Sequence, residues 1–187
     1  MSKWKIKDSK VIFKKNFFIL KDLDCYLASK DLDHHFHVLE TFDWINVVAL
    51  TEEQKFILVK QHRLGTNEVT IETPGGIVEK NEPAQNSAER ELLEETGFKT
   101  GKIFPLKKLA VNPAIINNQI SFFYASDCRL VSAQNLDLAE DIEVLLCSEE
   151  EVLEMIKTGQ INHSIVITAL SLYFLSKYSK SNIGLID

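Results

Sequence analysis

With 187 residues, 45% of them apolar and 26% charged, the chain has the size and balance of one globular domain with a sizeable core, which excludes disordered, collagenous and low-complexity classes. A net charge of −6, with the densest basic stretch (residues 1–15) broken by Asp8 and several apolar residues, excludes the basic stripe that displaces counterions from nucleic acid. The apolar run at 165–175 contains Thr168 and Ser171 and is too short to span a bilayer, and residues 1–10 lack the apolar stretch of a secretory signal, so a soluble, cytoplasmic protein with no membrane partner is expected.

In chain order, residues 10–27 are rich in β-branched and aromatic types and read as one or two strands, as does 35–40. His34, His35 and His37 alternate near that strand start but lack a fourth ligand at suitable spacing, so no metal site is expected there. Residues 45–51 (INVVALT) and 55–61 (KFILVKQ) predict an antiparallel pair, and Glu68–Glu72 predicts a short strand. The cluster Thr73-Pro74-Gly75-Gly76 that follows is expected to break any regular element. Pro83 suits a first helical turn, Ala84–Thr96 is a continuous run of helix formers, and Gly97 stands where a left-handed residue closes a helix. Strands are predicted at 107–111, 120–126 and Ile142–Cys147, and helices at Glu149–Lys157 and 164–176, where apolar positions recur at three and four residues. Cys25, Cys128 and Cys147 are an odd number without a CxxC pair and read as small buried hydrophobes. Neither a repeat nor a linker interrupts the chain, so the expectation is a single α+β domain over residues 1–187.

On the helix, Glu91, Glu94 and Glu95 fall at i, i+3 and i+4 and share one face, with Arg90 four residues before Glu94. Leu92, Leu93 and Phe98 are placed to anchor the helix to a core. Carboxylates this close repel unless water screens them or a cation joins them. By itself the cluster reads as a solvated acidic face with an Arg–Glu pair; its context says more.

From Gly76 the sequence runs GIVEKNEPAQNSAERELLEETGF, which matches position for position the signature G-x5-E-x7-R-E-U-x-E-E-x-G-U, U being aliphatic or aromatic. The matching residues are Gly76, Glu82, Arg90, Glu91, Leu92, Glu94, Glu95, Gly97 and Phe98. At average residue usage such a match arises by chance with a probability on the order of 10⁻⁷. The chain thus resembles the Nudix hydrolases. The stretch QHRLGTNEVTIETPGG upstream, together with Pro113 fifteen residues past Phe98, is similar to their ADP-ribose and nucleoside diphosphate sugar branch. The resemblance covers residues 44–143, with departures at His62, where the branch has tyrosine, and at 112–119, both where substrate selectivity is expected.

The resemblance implies an α/β/α sandwich with a mixed central sheet, an N-terminal strand extension over residues 1–40 that builds a homodimer, and a signature box at 76–98. It implies Mg²⁺, with Mn²⁺ as the alternative, held by Glu91, Glu94, Glu95 and the Gly75 carbonyl, with Glu82 and Arg90 as a structural ion pair. A hard cation suits carboxylate and carbonyl oxygens, and glycine lets a backbone come close. Glu94, Glu95, Arg90 and Glu140 are the expected catalytic residues. Glu140, in the stretch 138–144 (LAEDIEV), is either the general base or a late metal ligand. Arg63 either grips a diphosphate or forms a structural or interface salt bridge, Trp44 either stacks on a base or packs in the core, and Pro113 lies in the expected substrate region. The expected reaction is metal-dependent hydrolysis of the diphosphate bond of a nucleoside diphosphate sugar, ADP-ribose first and GDP-mannose next, to a nucleoside monophosphate and a sugar phosphate. The alternatives are a Nudix hydrolase of another nucleotide (a nucleoside triphosphate or dinucleoside polyphosphate) and a non-catalytic nucleotide-sugar-binding regulator.

Overall fold

The structure is a computed structural model that describes residues 2–178. Its contacts fall into two compact units: residues up to Asp43 with Leu109–Ile120, and Trp44–Lys108 with residues from Ser121 on.

The first unit is a meander of β1 (Lys5–Lys15), β2 (Phe18–Leu27) and β3 (Leu32–Thr41), antiparallel in the order β1-β2-β3. The predicted 10–27 element is therefore two strands; Asn16, at φ 44, makes the turn between them. Cross-strand register sorts the side chains. Ile6, Cys25 and His34 line up on one face, as do Leu23 and Phe36, and Trp4 packs on Phe36 with centroids 4.9 Å apart. Asp8, Asp22, Asp24, His35 and His37 share the other face. Residues 112–117 run beside β3, the Leu39 amide donating to the Ile115 carbonyl at 2.8 Å and the Asn117 amide to the Leu39 carbonyl at 3.1 Å.

The second unit is built on an eight-stranded mixed sheet ordered β11-β5-β4-β10-β8, with β6 on β5, β7 on β4 and β9 on β10. Here β4 is Trp44–Thr51, β5 Phe56–Arg63, β6 Glu68–Glu72, β7 Gly75–Ile77, β8 Phe98–Lys99, β9 Lys102–Ala110, β10 Gln119–Leu130 and β11 Ile142–Cys147. The helices are α1 (Ala84–Thr96), α2 (Glu149–Lys157) and α3 (Ser164–Tyr178). Strand alternation assigns their layers. Ile45, Val47 and Ala49 of β4, Ile57 of β5, and Phe123 and Ala125 of β10 pack with Ala88 and Leu92 of α1. The alternate residues Phe56 and Tyr124 meet Tyr173 of α3, with ring centroids 5.5 and 5.1 Å apart. The sheet thus lies between α1 and α3. Cys25, Cys128 and Cys147 are free and buried, as read.

Two local expectations need correction. The cluster does break the chain, at Thr73-Pro74 after β6, but its glycines do not stay irregular: Gly75-Gly76 forms β7, aligned with Asn46 and Ile45, because β4 offers a free ladder that overrides weak strand propensity. Pro83 stands at the N-cap of α1 in extended conformation (ψ 135) rather than inside its first turn. Gly97 does close the helix, at φ 75, its amide donating to the Leu93 carbonyl.

Candidate active site

The glycine strand is held from two sides. Its partner β4 carries a buried polar residue, Asn46, whose Nδ2 donates to the Thr73 carbonyl at 3.3 Å while its Oδ1 accepts from Thr73 Oγ1 at 2.6 Å. The Val47 amide donates to the Pro74 carbonyl at 2.8 Å. On the helix side, the Gly75 amide donates to Glu95 Oε2 at 3.0 Å. Space explains the glycines, since neither has a positive φ. A Cβ on Gly76 would lie 2.3 Å from Glu91 Cδ and Oε1, and one on Gly75 would lie 2.6 Å from the Ile45 carbonyl oxygen.

Across that strand, α1 presents its acids at graded depth: the Glu94 side chain is 36% exposed, Glu91 15%, and Glu95 is 3% exposed as a residue. Arg90 gathers most of the charge. Its Nη1 donates to Glu91 Oε1 and Glu94 Oε2, both at 2.9 Å, and its Nη2 to Glu82 Oε2 at 3.2 Å, confirming the expected Glu82–Arg90 pair. Ser87 Oγ adds a 2.6 Å bond to the same Glu82 oxygen. Burial works against the Arg90 charge, but Glu82, Glu91 and Glu94 together hold its pKa above the ordinary guanidinium value. Burial pushes Glu91 up, and it pushes Glu95 up to about 8 against the pull of the Gly75 amide, with the Glu91 and Glu140 charges acting the same way.

Arg63 at the end of β5 clasps Glu72 of β6 through Nε and Nη2, both at 2.7 Å, and Thr70 Oγ1 donates to the same carboxylate at 2.6 Å. The fork read from sequence as a possible diphosphate grip is thus engaged in a structural salt bridge, while its charge still reaches Glu95 and Glu140. Glu140 sits in an exposed turn, its amide donating to the Asp137 carbonyl at 2.9 Å and its Oε2 accepting from the Asp137 amide at 3.0 Å. Half-buried Trp44 opens β4 opposite Ile77. Pro113 belongs to the first unit, in an exposed turn where the Ile116 amide donates to the Asn112 carbonyl at 2.8 Å. The structure thus forms two hydrogen-bonded groups, Arg90 with Glu82, Glu91 and Glu94, and Gly75 with Glu95, and the charges of Glu91, Arg63 and Glu140 act on Glu95.

Among the described residues no three His, Cys, Asp or Glu side chains stand in a ready-made metal arrangement, the three strand histidines included. In the box, Arg90 Nη1 holds one oxygen each of Glu91 and Glu94. The donors still fit a hard cation. Two carboxylates whose pKa values are raised by burial lie beside a strand whose Gly76 leaves a notch at the Glu91 carboxylate that any Cβ would fill. Sequence reading missed Asn46, Thr73, Glu72 and Gln134. A polar residue inside the apolar run INVVALT was a usable signal for Asn46.

The NUDIX domain model matches residues 43–170. The chain belongs to the Nudix family. It is 33% identical over 178 residues to a GDP-mannose pyrophosphatase of Citrobacter koseri, covering 89% of this chain and 92% of that protein. A GDP-mannose pyrophosphatase of Escherichia coli K12 is 32% identical over the same shares. A crystal structure of an ADP compounds hydrolase superposes with a TM-score of 0.84 at 19% identity, covering 97% of this chain and 98% of that one, which shows the shared fold. The chain is a Nudix hydrolase with the sandwich fold expected, in the ADP-ribose and sugar-nucleotide branch. Enzymes of this family generally use divalent metal ions. Among the described residues, no helix is long and apolar enough to cross a membrane.

Proposed function

We propose that this Nudix hydrolase cleaves the diphosphate bond of a nucleoside diphosphate sugar, with GDP-mannose the first substrate to test and ADP-ribose the second. The reading rests above all on half-buried Glu91 and buried Glu95 set against the Gly75-Gly76 strand, carboxylates whose charge burial disfavours. The names of the relatives support the substrate class.

Glu91, Glu95 and the Gly75 carbonyl, with Glu94 direct or through water, would hold Mg²⁺, for which Mn²⁺ is the alternative. Bound there, such an ion neutralises a diphosphate and stabilises the charge of its leaving group. The chain's own residues do the rest. Glu140 takes a proton from the attacking water as its oxygen bonds to one phosphorus. The bridging P–O bond breaks, its electron pair leaves with the other phosphate, and the products are a nucleoside monophosphate and a sugar phosphate. Arg90 keeps Glu91 and Glu94 aimed, and Arg63, braced by Glu72, supplies fixed positive charge beside the acids. Trp44 is assigned to substrate contact, and alanine there raises KM.

Incubation with GDP-mannose, ADP-ribose and other sugar nucleotides in Mg²⁺ is expected to yield paired nucleoside monophosphate and sugar phosphate. Turnover of none of them would refute the reading. Replacing Glu140 by Gln lowers kcat far more than it changes KM; unchanged kcat removes Glu140 from the mechanism.

A homodimer through the N-terminal extension belongs to the same proposal, the whole chain forming one functional domain. The meander leaves Ile6, Val11 and Phe13 about half exposed (58, 50 and 47%), apolar surface that a dimer contact would cover. A monomeric mass at micromolar concentration would refute it. The three unpaired cysteines suit the reducing cytoplasm inferred for the enzyme.

A further inference from the structure

The segment between β10 and β11, residues 131–141, carries Glu140 yet has no regular structure of its own. Backbone bonds fasten its start to the end of α1. The Val131 and Ser132 amides donate to the Gly97 carbonyl at 3.0 and 3.3 Å, and the Asn135 amide donates to the Glu94 carbonyl at 2.9 Å. One side chain closes the other end of the segment as well. Gln134 Nε2 donates to the Glu95 carbonyl at 2.6 Å and to the Ile142 carbonyl at 3.0 Å.

We propose that Gln134 is a positioning residue for the reaction: its carboxamide pins both ends of the Glu140 segment to the helix turn that carries Glu94 and Glu95. This rests on the role given to Glu140 above. An amide nitrogen has two hydrogens, and here each has a separate carbonyl, one on the acid-bearing helix and one at the first residue of β11. Glutamine is the fitting type. Glutamate has no hydrogen to donate at neutral pH, asparagine is a methylene shorter, and lysine or arginine would bring a full charge to the helix end. Gln134 is exposed, so burial does not account for its conformation; the two bonds do. Between the pinned ends, residues 136–141 keep one internal clasp, the Asp137–Glu140 turn, and Leu138 stands wholly in solvent. The distance from Glu140 to the buried acids is therefore set where the segment is pinned, and Glu140 is close enough for its charge to raise both Glu91 and Glu95.

The test replaces Gln134 by Met, which keeps length and loses both donors. Misplacement of a reacting group by about 1 Å can cost on the order of 10²-fold, so kcat on GDP-mannose is expected to fall about 10- to 100-fold, with KM changed less than about twofold. In a Glu140→Gln background the same replacement should cost less than about threefold more, because the residue being positioned is already disabled. Equal losses in both backgrounds, or wild-type kcat in Gln134→Met, would overturn the proposal. Amide hydrogen exchange gives a reading independent of any substrate. Gln134→Met should speed exchange at 136–141 while α1 keeps wild-type protection, and unchanged exchange there would overturn the pinning itself. Failure of the wild-type enzyme to hydrolyse sugar nucleotides would instead sink the functional reading and leave the exchange result to judge Gln134.

Discussion

Gly76→Ala separates the chemistry of the site from the stability of the fold. The added Cβ would lie 2.3 Å from Glu91 Cδ and Oε1, so the carboxylate must retreat by about 1 Å to reach an ordinary 3.4 Å contact. It can do so, because the atoms met are the far end of a flexible side chain. Its Arg90 bond of 2.9 Å and its place against Gly76 are then lost. A displacement of about 1 Å at a catalytic group costs up to ~10²-fold in rate. The stability effect should be small, since replacing Gly by Ala at a strand φ the new residue tolerates shifts unfolding by only about 0.4–1 kcal/mol. The variant is expected to unfold within a few degrees of wild type, to release product from GDP-mannose ~100-fold more slowly, and to need more Mg²⁺ for half-maximal rate. Product release, thermal unfolding and a Mg²⁺ titration on one preparation decide it. Activity within threefold of wild type would refute the claim that Gly76 is there to leave room for the Glu91 carboxylate.

Gly75→Ala should do the reverse: its Cβ meets the Ile45 carbonyl at 2.6 Å, backbone that cannot swing away, so stability falls by about 1–3 kcal/mol in urea unfolding. Burial raises Glu95 to about 8 from an unfolded value of ~4.3, so the stability it contributes is complete below that unfolded value and is lost as pH rises through about 8. Metal-free protein should therefore melt lower at pH 9 than at pH 6, Mg²⁺ should restore more stability at pH 9, and Glu95→Gln should flatten both trends. Glu72 shifts the other way: burial opposes its charge, but Arg63 and Thr70 hold it below the usual carboxylate range, so its contribution is present above ~4.3 and disappears as pH falls through the lowered value. Acid unfolding followed by circular dichroism should show that loss in wild type and not in Glu72→Gln, which at neutral pH is less stable by about 1–3 kcal/mol.

Much of this is legible in the sequence. Helix α1 matched its predicted bounds because its limits are chemical: Pro83 cannot continue a ladder backwards, and Gly97 takes the left-handed turn that other residues resist. The Arg90–Glu82 pair followed from the signature. What escaped depends on partners distant in sequence. Strand β7 is a strand only because Trp44, Ile45 and Asn46 lie alongside it. Glu72 reads as one more polar residue in a short strand until Arg63 is seen nine residues back on the neighbouring strand. Gln134 stands in a stretch without periodicity, where pattern says nothing about which carbonyls a side chain will find.

The box acids do not share their counter-charge evenly. Glu82, Glu91 and Glu94 each touch Arg90, so one guanidinium serves three carboxylates and the surface part of the cluster resembles an ordinary ion-pair network. Glu95, the deepest, is left with the Gly75 amide as its hydrogen-bond partner among the described residues, while the Arg63 charge acts on it from a distance with its fork already in Glu72. Burying a carboxylate with one neutral donor is costly, and a protein that needed only stability would replace it with an apolar residue of similar size. The unfavourable electrostatics thus concentrate at one residue, beside the glycine strand that lets backbone and side-chain oxygens converge. A cation arriving there relieves a penalty already built into the fold, so its affinity and the protein's stability should change together in every variant that alters Glu95 or the strand facing it.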